Sequence, residues 1–313
     1  MPLDHYISQV HLKNFYSPQL GKLMFALRKT DMKAFTPDTQ SVCRIDEGST
    51  NSYLLEPRAI EEFLKDIEPR YNEAVKNVIE ADISPETIYV LAGFIAYVLT
   101  CSPAGMRIHS GPLKAVVEET SCMLDTIGKI SAPPPSLGAS SLTEFLESGK
   151  VRVEIDPKYP QAIGIASILQ RTKIFGNFTW EILANETDSP FFTSDFPIAI
   201  EPTADLRIIN RIVPLTPRLA IRLRPNISMN KNSTDFSFKG FHRKIRRASW
   251  EEVVRINTLL VRCAESTVFF PRNEDWVERF VRKNSSFRID SRTQRIPYQR
   301  GSLLFSSLAI VST

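Results

Sequence analysis

The chain has 313 residues, of which 42% are hydrophobic and 24% are charged, and its formal net charge is +4. These proportions are typical of a globular protein with one large core or two smaller domains, and they exclude collagen-like, coiled-coil and disordered chains. Four widely spaced cysteines without a CxxC pair exclude a disulfide-stapled scaffold, a local zinc ribbon and a thioredoxin-type motif, and they predict a reduced, cytoplasmic protein.

Neither an export signal nor a membrane-spanning helix is predicted. Asp4 and His5 occupy positions where a signal peptide needs a basic start. The longest apolar run, residues 88–101, is shorter than the roughly 20 residues that a bilayer-spanning helix needs. We therefore expect this run to be a buried core helix and the protein to have no membrane partner.

Hydrophobic periodicity predicts helices in the first half of the chain. Pro69 interrupts one apolar stripe, and Ser84 followed by Pro85 is a start signal for the next helix. The predicted helices cover residues 5–15, 60–78, 85–101, 113–127 and 141–148, with a hairpin at 23–37. The Pro- and Ser-rich tract 131–141 predicts a connection between a mainly helical, acidic part (1–130) and a mixed, basic part (142–313), which form two domains or one continuous domain.

The second half alternates short apolar segments with turn residues, which is typical of strands. The predicted strands cover residues 151–155, 175–183, 190–200, 206–213, 218–225 and 266–271, and helices follow at 249–265 and 275–283. We expect the uncharged end, 301–313, to dock in a sheet. The predicted fold class is α+β, with a helical N-terminal part followed by a strand-rich, antiparallel part with a late helix.

Charge is distributed unevenly along the chain. Residues 1–203 contain 18 Lys and Arg against 26 Asp and Glu, whereas residues 204–313 contain 21 against 9. The densest basic cluster is Arg243, Lys244, Arg246 and Arg247. Such a cluster predicts contact with nucleic acid or another phosphate-containing ligand, or alternatively ion pairs with the acidic part of the same chain.

Four residues are candidates for chemistry. His5 and Gln9 lie one turn apart in the predicted first helix, where an imidazole can act as a general acid or base and a carboxamide can orient the ligand. Glu68 lies beside an apolar stripe, and Asp195 lies in the apolar segment FFTSDFP; together they can hold a divalent ion such as Mg²⁺. The structural alternatives are that His5 packs the helix and that Asp195 caps a corner.

Several segments together resemble a bacterial family known as domain of unknown function number 4238. They are HYISQVHLKNF (5–15), AIEEFLKDIE (59–68), FFTSDFPIAI (191–200) and VPLTPRLAI (213–221). The resemblance spans most of the chain but implies no reaction. The chain departs from the family in two places: Ser8 stands where a proline is usual, and the region from Tyr97 to Pro103 lacks an expected glutamine and arginine. If those residues form part of a site in relatives, this chain either supplies a substitute such as Arg107 or has a changed activity.

The leading hypothesis is a metal-dependent nuclease or hydrolase of the toxin or phage-defence type. In it, Glu68 and Asp195 hold the metal, His5 and Gln9 act on the substrate, and the 243–247 cluster holds the phosphate backbone. The alternatives are a non-catalytic module that binds nucleic acid or protein, and a hydrolase of a small metabolite. Serine-hydrolase, Rossmann and P-loop motifs are absent from the sequence.

Overall fold

Helices dominate the first half of the fold. The computed structural model describes residues 3–205, 207–228, 235–298 and 301–313. Its helices are α1 (Gln9–Lys13), α2 (Ala59–Ile67), α3 (Tyr71–Ile79), α4 (Pro85–Cys101), α5 (Pro103–Thr126), α6 (Leu142–Glu147), α7 (Lys158–Ala166), α8 (Ile168–Gly176), α9 (Trp250–Cys263) and α10 (Asp275–Asn284), with 3-10 turns at Glu68–Arg70 and Pro135–Leu137.

Most strands lie in the second half. They are β1 (Leu3–His5), β2 (Phe25–Arg28), β3 (Ala34–Phe35), β4 (Arg44–Asp46), β5 (Thr179–Ala184), β6 (Thr193–Ser194), β7 (Ala199–Pro202), β8 (Ile209–Thr216), β9 (Leu219–Arg224), β10 (His242–Arg247), β11 (Thr267–Phe270), β12 (Phe287–Tyr298) and β13 (Gly301–Ser312). The fold class is therefore α+β, with a helical N-terminal part, a strand-rich region and a late helix, as predicted.

The strands form four sheets. The largest has the order β10-β5-β9-β8-β7, and a second has the order β3-β2-β11-β6. β1 pairs with β4, and β12 pairs with β13. All pairs are antiparallel except β10 with β5, which run parallel. The uncharged chain end thus pairs with β12, and β12 in turn contacts α5.

Helix α4 lies at the centre of the helical part, as its apolar sequence predicts. Ser84 Oγ accepts the backbone N–H of Thr87 at 3.2 Å, and Pro85 occupies the first turn. The helix contacts α2, α3, α5, α7 and α8, so its side chains are buried on nearly all sides. The close approach of α2 needs Gly93, because a Cβ there would lie 2.5 Å from Ile67 Cδ1.

One hydrophobic core includes residues from both sides of the predicted connection at 131–141. Its buried members include Leu12 and Phe94 from the first part and Trp180, Ile256 and Ile289 from the second. Stabilisation is roughly proportional to the apolar surface area that is buried, so the two parts stabilise each other through this shared core.

Several predicted elements differ in the structure. Residues 151–155 form no strand, and the two helices α7 and α8 follow instead, at 158–176. The predicted first helix is reduced to α1, because residues 3–5 pair with β4 as a strand. Helix α5 starts ten residues before the predicted position. The predicted strand 190–200 is divided between β6 and β7, which belong to different sheets. Residue 206, the first of another predicted strand, lies outside the described residues.

Among the described residues, no single helix is both long enough and apolar enough to cross a membrane. Helices α4 and α5 satisfy those criteria only as a pair, and the two meet at a bend of 64°.

Candidate functional site

A cavity of about 550 Å³ opens where β1, α1 and α2 meet. We call it the His5 cavity. Its polar lining residues are Asp4, His5, Gln9, Ser49, Glu61, Lys65 and Glu68, and its apolar ones are Leu3, Val10, Leu64 and Pro69. Three of the four predicted catalytic residues, His5, Gln9 and Glu68, therefore line one cavity, although they belong to different elements.

His5 is the last residue of β1, which corrects the prediction that it shares a helix with Gln9. The strand pairing with β4 fixes its backbone, and the Tyr97 hydroxyl donates to the His5 carbonyl at 2.5 Å. The ring Nε2 lies 3.1 Å from the Thr39 carbonyl oxygen, which only accepts, so Nε2 carries hydrogen. Burial lowers the pKa of His5; hydrogen bonds to Thr39 and Gln40 and the nearby charge of Glu68 oppose that effect.

Gln9 is oriented by a chain of hydroxyl groups. Its Oε1 accepts from Thr39 Oγ1 at 3.2 Å, and Thr39 Oγ1 is in turn 3.1 Å from the Tyr16 hydroxyl. Because the carboxamide oxygen is held in this way, the geometry leaves the amide nitrogen of Gln9 as its donor group. Thr39 thus contacts both His5 and Gln9 and sets their separation.

Glu68 begins the 3-10 turn that Pro69 introduces between α2 and α3. The buried Ser8 hydroxyl donates to Glu68 Oε1. Ser8 precedes α1, so this hydrogen bond joins the start of α1 to the end of α2. Ser8 therefore contacts one of the three carboxylates that line the cavity.

The cavity lining is acidic, because it has three carboxylates, those of Asp4, Glu61 and Glu68, against one cation, Lys65. Arg58, outside the lining, forms ion pairs with two of these carboxylates, and Lys65 pairs with Glu62 at 2.5 Å. No member of the 243–247 cluster lines the cavity. Since like charges repel, this lining disfavours an anionic ligand and favours a neutral or cationic one.

Asp195 does not line the His5 cavity; it caps the turn between α9 and β11. Its carboxylate accepts the backbone N–H groups of Glu265, Ser266 and Thr267 at 2.7–2.9 Å, together with the Ser266 hydroxyl at 2.7 Å. Burial raises the pKa of Asp195, and these hydrogen bonds oppose that rise. Lys29 supports the same turn by donating to the Ala264 carbonyl at 2.6 Å.

The predicted metal pair, Glu68 and Asp195, does not line one cavity. Glu68 lines the His5 cavity, whereas Asp195 binds the turn between α9 and β11. Within the ranges that the structure describes, no group of three or more His, Cys, Asp or Glu side chains is arranged to hold a metal ion. Arg107, the expected substitute, also lies elsewhere: it pairs with Glu265 and donates to the Ile289 carbonyl at 2.9 Å.

The basic cluster forms β10, an edge strand, and not a loop. Arg246 points toward acidic partners: it contacts Glu181 at 2.7 Å and Glu252 at 2.5 Å. Arg243 donates to the Ala81 carbonyl at 2.9 Å, and Arg247 pairs with Glu186 at 3.1 Å on the surface. Lys244 is exposed. Arg246 and Arg247 are thus paired with carboxylates of the same chain, but these carboxylates belong to the strand-rich part (142–313) and not to the acidic part of the alternative prediction.

Behind β10 lies an ionic network that the sequence analysis missed. Arg222 is 2% exposed, and it contacts Glu181, Glu201 and Glu252. Favourable ion pairs and hydrogen bonds hold the pKa of Glu181 at about 2. The only sequence signal was the alternation RLAIRLR, because an arginine on the inward face of a strand requires a carboxylate partner.

His11 is a second residue that sequence analysis undervalued. It is fully buried, its Nδ1 lies 2.8 Å from the Tyr71 hydroxyl, and its Nε2 lies 3.0 Å from Thr193 Oγ1. It also stacks on Phe94 with ring centroids 4.8 Å apart. Burial lowers the pKa of His11 to about 3, so the ring is neutral at pH 7 and acts as a structural link between α1, α3 and β6.

Comparison with known proteins gives a family but no activity. No curated protein matches the chain, and no solved structure matches it. A sequence model of one family matches residues 4–274, which include α1, α2 and every lining residue of the His5 cavity except Leu3. The chain belongs to that family, which is described as "Protein of unknown function (DUF4238)".

Proposed function

We propose that the chain is a cytoplasmic hydrolase of a small metabolite, with the His5 cavity as its active site. The observation that supports this most is that His5, Gln9 and Glu68, from three separate elements, line one cavity. Its volume of about 550 Å³ falls within the range of roughly 300–1,000 Å³ that is usual for small-molecule sites.

His5 is the general base in this proposal. Its lowered pKa keeps the imidazole neutral at pH 7, and the Thr39 carbonyl holds the Nε2 hydrogen, which leaves Nδ1 to take a proton. A water molecule that attacks the substrate loses a proton to Nδ1, and the imidazolium returns that proton to the leaving group. Glu68 stabilises the imidazolium, because its charge raises the pKa of His5. The Gln9 amide orients the substrate.

The acidic lining sets the substrate class. Carboxylates of Asp4, Glu61 and Glu68 border the cavity, whereas Leu3, Val10 and Leu64 supply an apolar surface. A neutral or cationic ester or amide fits these groups better than a phosphate does. The substrate we propose is therefore a small carboxylic ester or amide without negative charge.

A panel of small neutral and cationic nitrophenyl esters and anilides tests this proposal. We expect turnover by the wild-type protein, a loss of at least 100-fold in kcat/KM for His5→Asn, and a smaller loss for Glu68→Gln. Glu73→Gln is the matched control, because Glu73 is exposed on α3 and does not line the cavity. Folded variants with wild-type turnover, or no turnover of any panel member by the wild type, contradict the proposal.

The exposed cations of β10 favour a second candidate, binding of nucleic acid or another phosphate-containing ligand, with or without metal-dependent cleavage. Replacing Arg243, Lys244, Arg246 and Arg247 by Gln then weakens binding to an oligonucleotide and flattens its dependence on salt. Cleavage that requires Mg²⁺ and stops with a chelator supports the nuclease form. Binding without cleavage supports a non-catalytic module. If the variant's binding depends on salt concentration as the wild type's does, β10 does not bind the ligand in either case.

A further inference from the structure

A second cavity, of about 350 Å³, lies between α5, α8, β8 and the β12–β13 pair. Its polar lining includes Arg171, Arg211, His109 and Ser291, and its apolar lining includes Phe175 and Leu308. No Asp or Glu lines it. We call it the arginine cavity.

The two guanidinium groups have only neutral partners. Arg171 donates to Thr100 Oγ1 at 3.3 Å, and Arg211 donates to the Ile209 carbonyl at 3.5 Å and lies 5.3 Å from the Phe175 ring centroid. Over the described ranges, neither guanidinium forms an ion pair, and the segments outside those ranges contain no Asp or Glu. Half-buried arginines normally have an anionic partner, so these two lack a counter-charge.

Titration behaviour agrees with this uncompensated charge. Burial, and then the charge of Arg171, lower the pKa of Arg211 to about 10. Burial and the charge of Arg171 lower the pKa of His109 to about 4. The Arg211 Nε and Ser291 Oγ atoms are both buried, and neither has a hydrogen-bond partner among the described residues. Buried donors without partners are costly, which points to an absent acceptor.

From these contacts we infer that the arginine cavity binds a phosphate group, either free or carried by a small organic molecule. Two guanidinium groups and the Ser291 hydroxyl supply more donors than the two oxygens of a carboxylate need, whereas the oxygens of phosphate can use them all. The cavity is large enough for the phosphate and a small apolar group beside Phe175 and Leu308.

This site is separate from the His5 cavity and does not depend on the function proposed there. Tyr97 of α4 donates to the His5 carbonyl, whereas Leu99, two residues on, lines the arginine cavity. Two helical residues correspond to a rotation of about 200°. The His5 backbone and the arginine cavity therefore contact nearly opposite faces of α4, and the two cavities share no lining residue.

Calorimetry with sodium phosphate and with phenyl phosphate, on the full chain, tests the inference. We expect both probes to bind and to raise Tm, and sodium chloride or acetate at the same ionic strength to do neither. Arg171→Met and Arg211→Met each weaken phosphate binding by about 10- to 100-fold, the usual loss for a charged hydrogen bond. Tighter binding of phenyl phosphate assigns the site to an organic phosphate, and equal binding assigns it to the free ion.

Arg272→Met is the matched control, because Arg272 is exposed and lies outside the cavity. If Arg211→Met does not fold, Ser291→Ala serves instead, with an expected loss of about 10-fold or more for one hydrogen bond to a charged acceptor. The inference is overturned if phosphate stabilises the wild type no more than chloride does, or if the folded cavity variants bind phosphate as the control does.

Discussion

The burial of His11 makes a quantitative prediction about stability and pH. An unfolded histidine has a pKa near 6.5, whereas burial lowers the pKa of folded His11 to about 3. Below pH 6.5 the unfolded chain therefore binds a proton that the folded protein excludes. The stabilisation from neutral His11 is complete above pH 6.5 and is lost progressively as the pH falls toward 3.

The size of the effect follows from the same difference. One pKa unit corresponds to about 1.4 kcal/mol, so His11 lowers the free energy of unfolding by about 2 kcal/mol between pH 6.5 and pH 5. The total loss near pH 3 is about 5 kcal/mol. In His11→Gln this contribution to the pH dependence of stability disappears. The variant starts from a lower free energy of unfolding, because glutamine does not reproduce the hydrogen bonds of His11 with Tyr71 and Thr193.

Urea denaturation at several pH values between 7 and 5 measures the slope. The difference between wild type and His11→Gln isolates His11, because His109, whose pKa is also lowered, contributes equally to both proteins. His242→Gln, on exposed β10, is the control for removing an imidazole. Stability curves of wild type and His11→Gln that run parallel across this range would refute the reasoning.

Three further substitutions test the fold. Phe94→Ala removes a ring that is 1% exposed, stacks on His11 and packs at a tilt against Tyr71, so we expect a loss of about 3–5 kcal/mol in urea denaturation; a loss below about 1 kcal/mol would mean that α4 is not core. Asp195→Ala leaves three backbone N–H groups without an acceptor, and a loss of about 2–4 kcal/mol is expected in the same assay. Arg222→Met removes the buried partner of Glu181, Glu201 and Glu252, which keep ion pairs with Arg246 or Arg255; we expect a loss of about 1–3 kcal/mol at pH 7 that becomes smaller at pH 4, where the glutamates of the variant gain protons, and a loss independent of pH argues against the charge explanation.

Local signals in the sequence predicted local structure well. Pro69 ends α2, and Ser84 with Pro85 begins α4, because a missing N–H and a capping hydroxyl act within one turn. Strand β1 was misjudged because its conformation depends on β4, some forty residues away. The basic segment 242–247 became a strand for the same reason, through its parallel pairing with β5.

The site was predictable only in part. His5, Gln9 and Glu68 were recognisable as unusual polar residues near apolar segments, and the structure brings them to one cavity. Asp195 had the same appearance in the sequence, but three backbone N–H groups from a distant turn decide its role. Arg171 and Arg211 carry no sequence signal, because what distinguishes them is the absence of an acidic neighbour after folding.

Both cavities depend on the direction in which side chains of helix α4 point around the helix axis. A single residue inserted between Leu91 and Tyr97 turns every later side chain of the helix by about 100°. Tyr97 would then leave the His5 carbonyl, and Leu99 would leave the wall of the arginine cavity. One insertion would thus alter a contact of each cavity, although no residue lining either of them had been replaced.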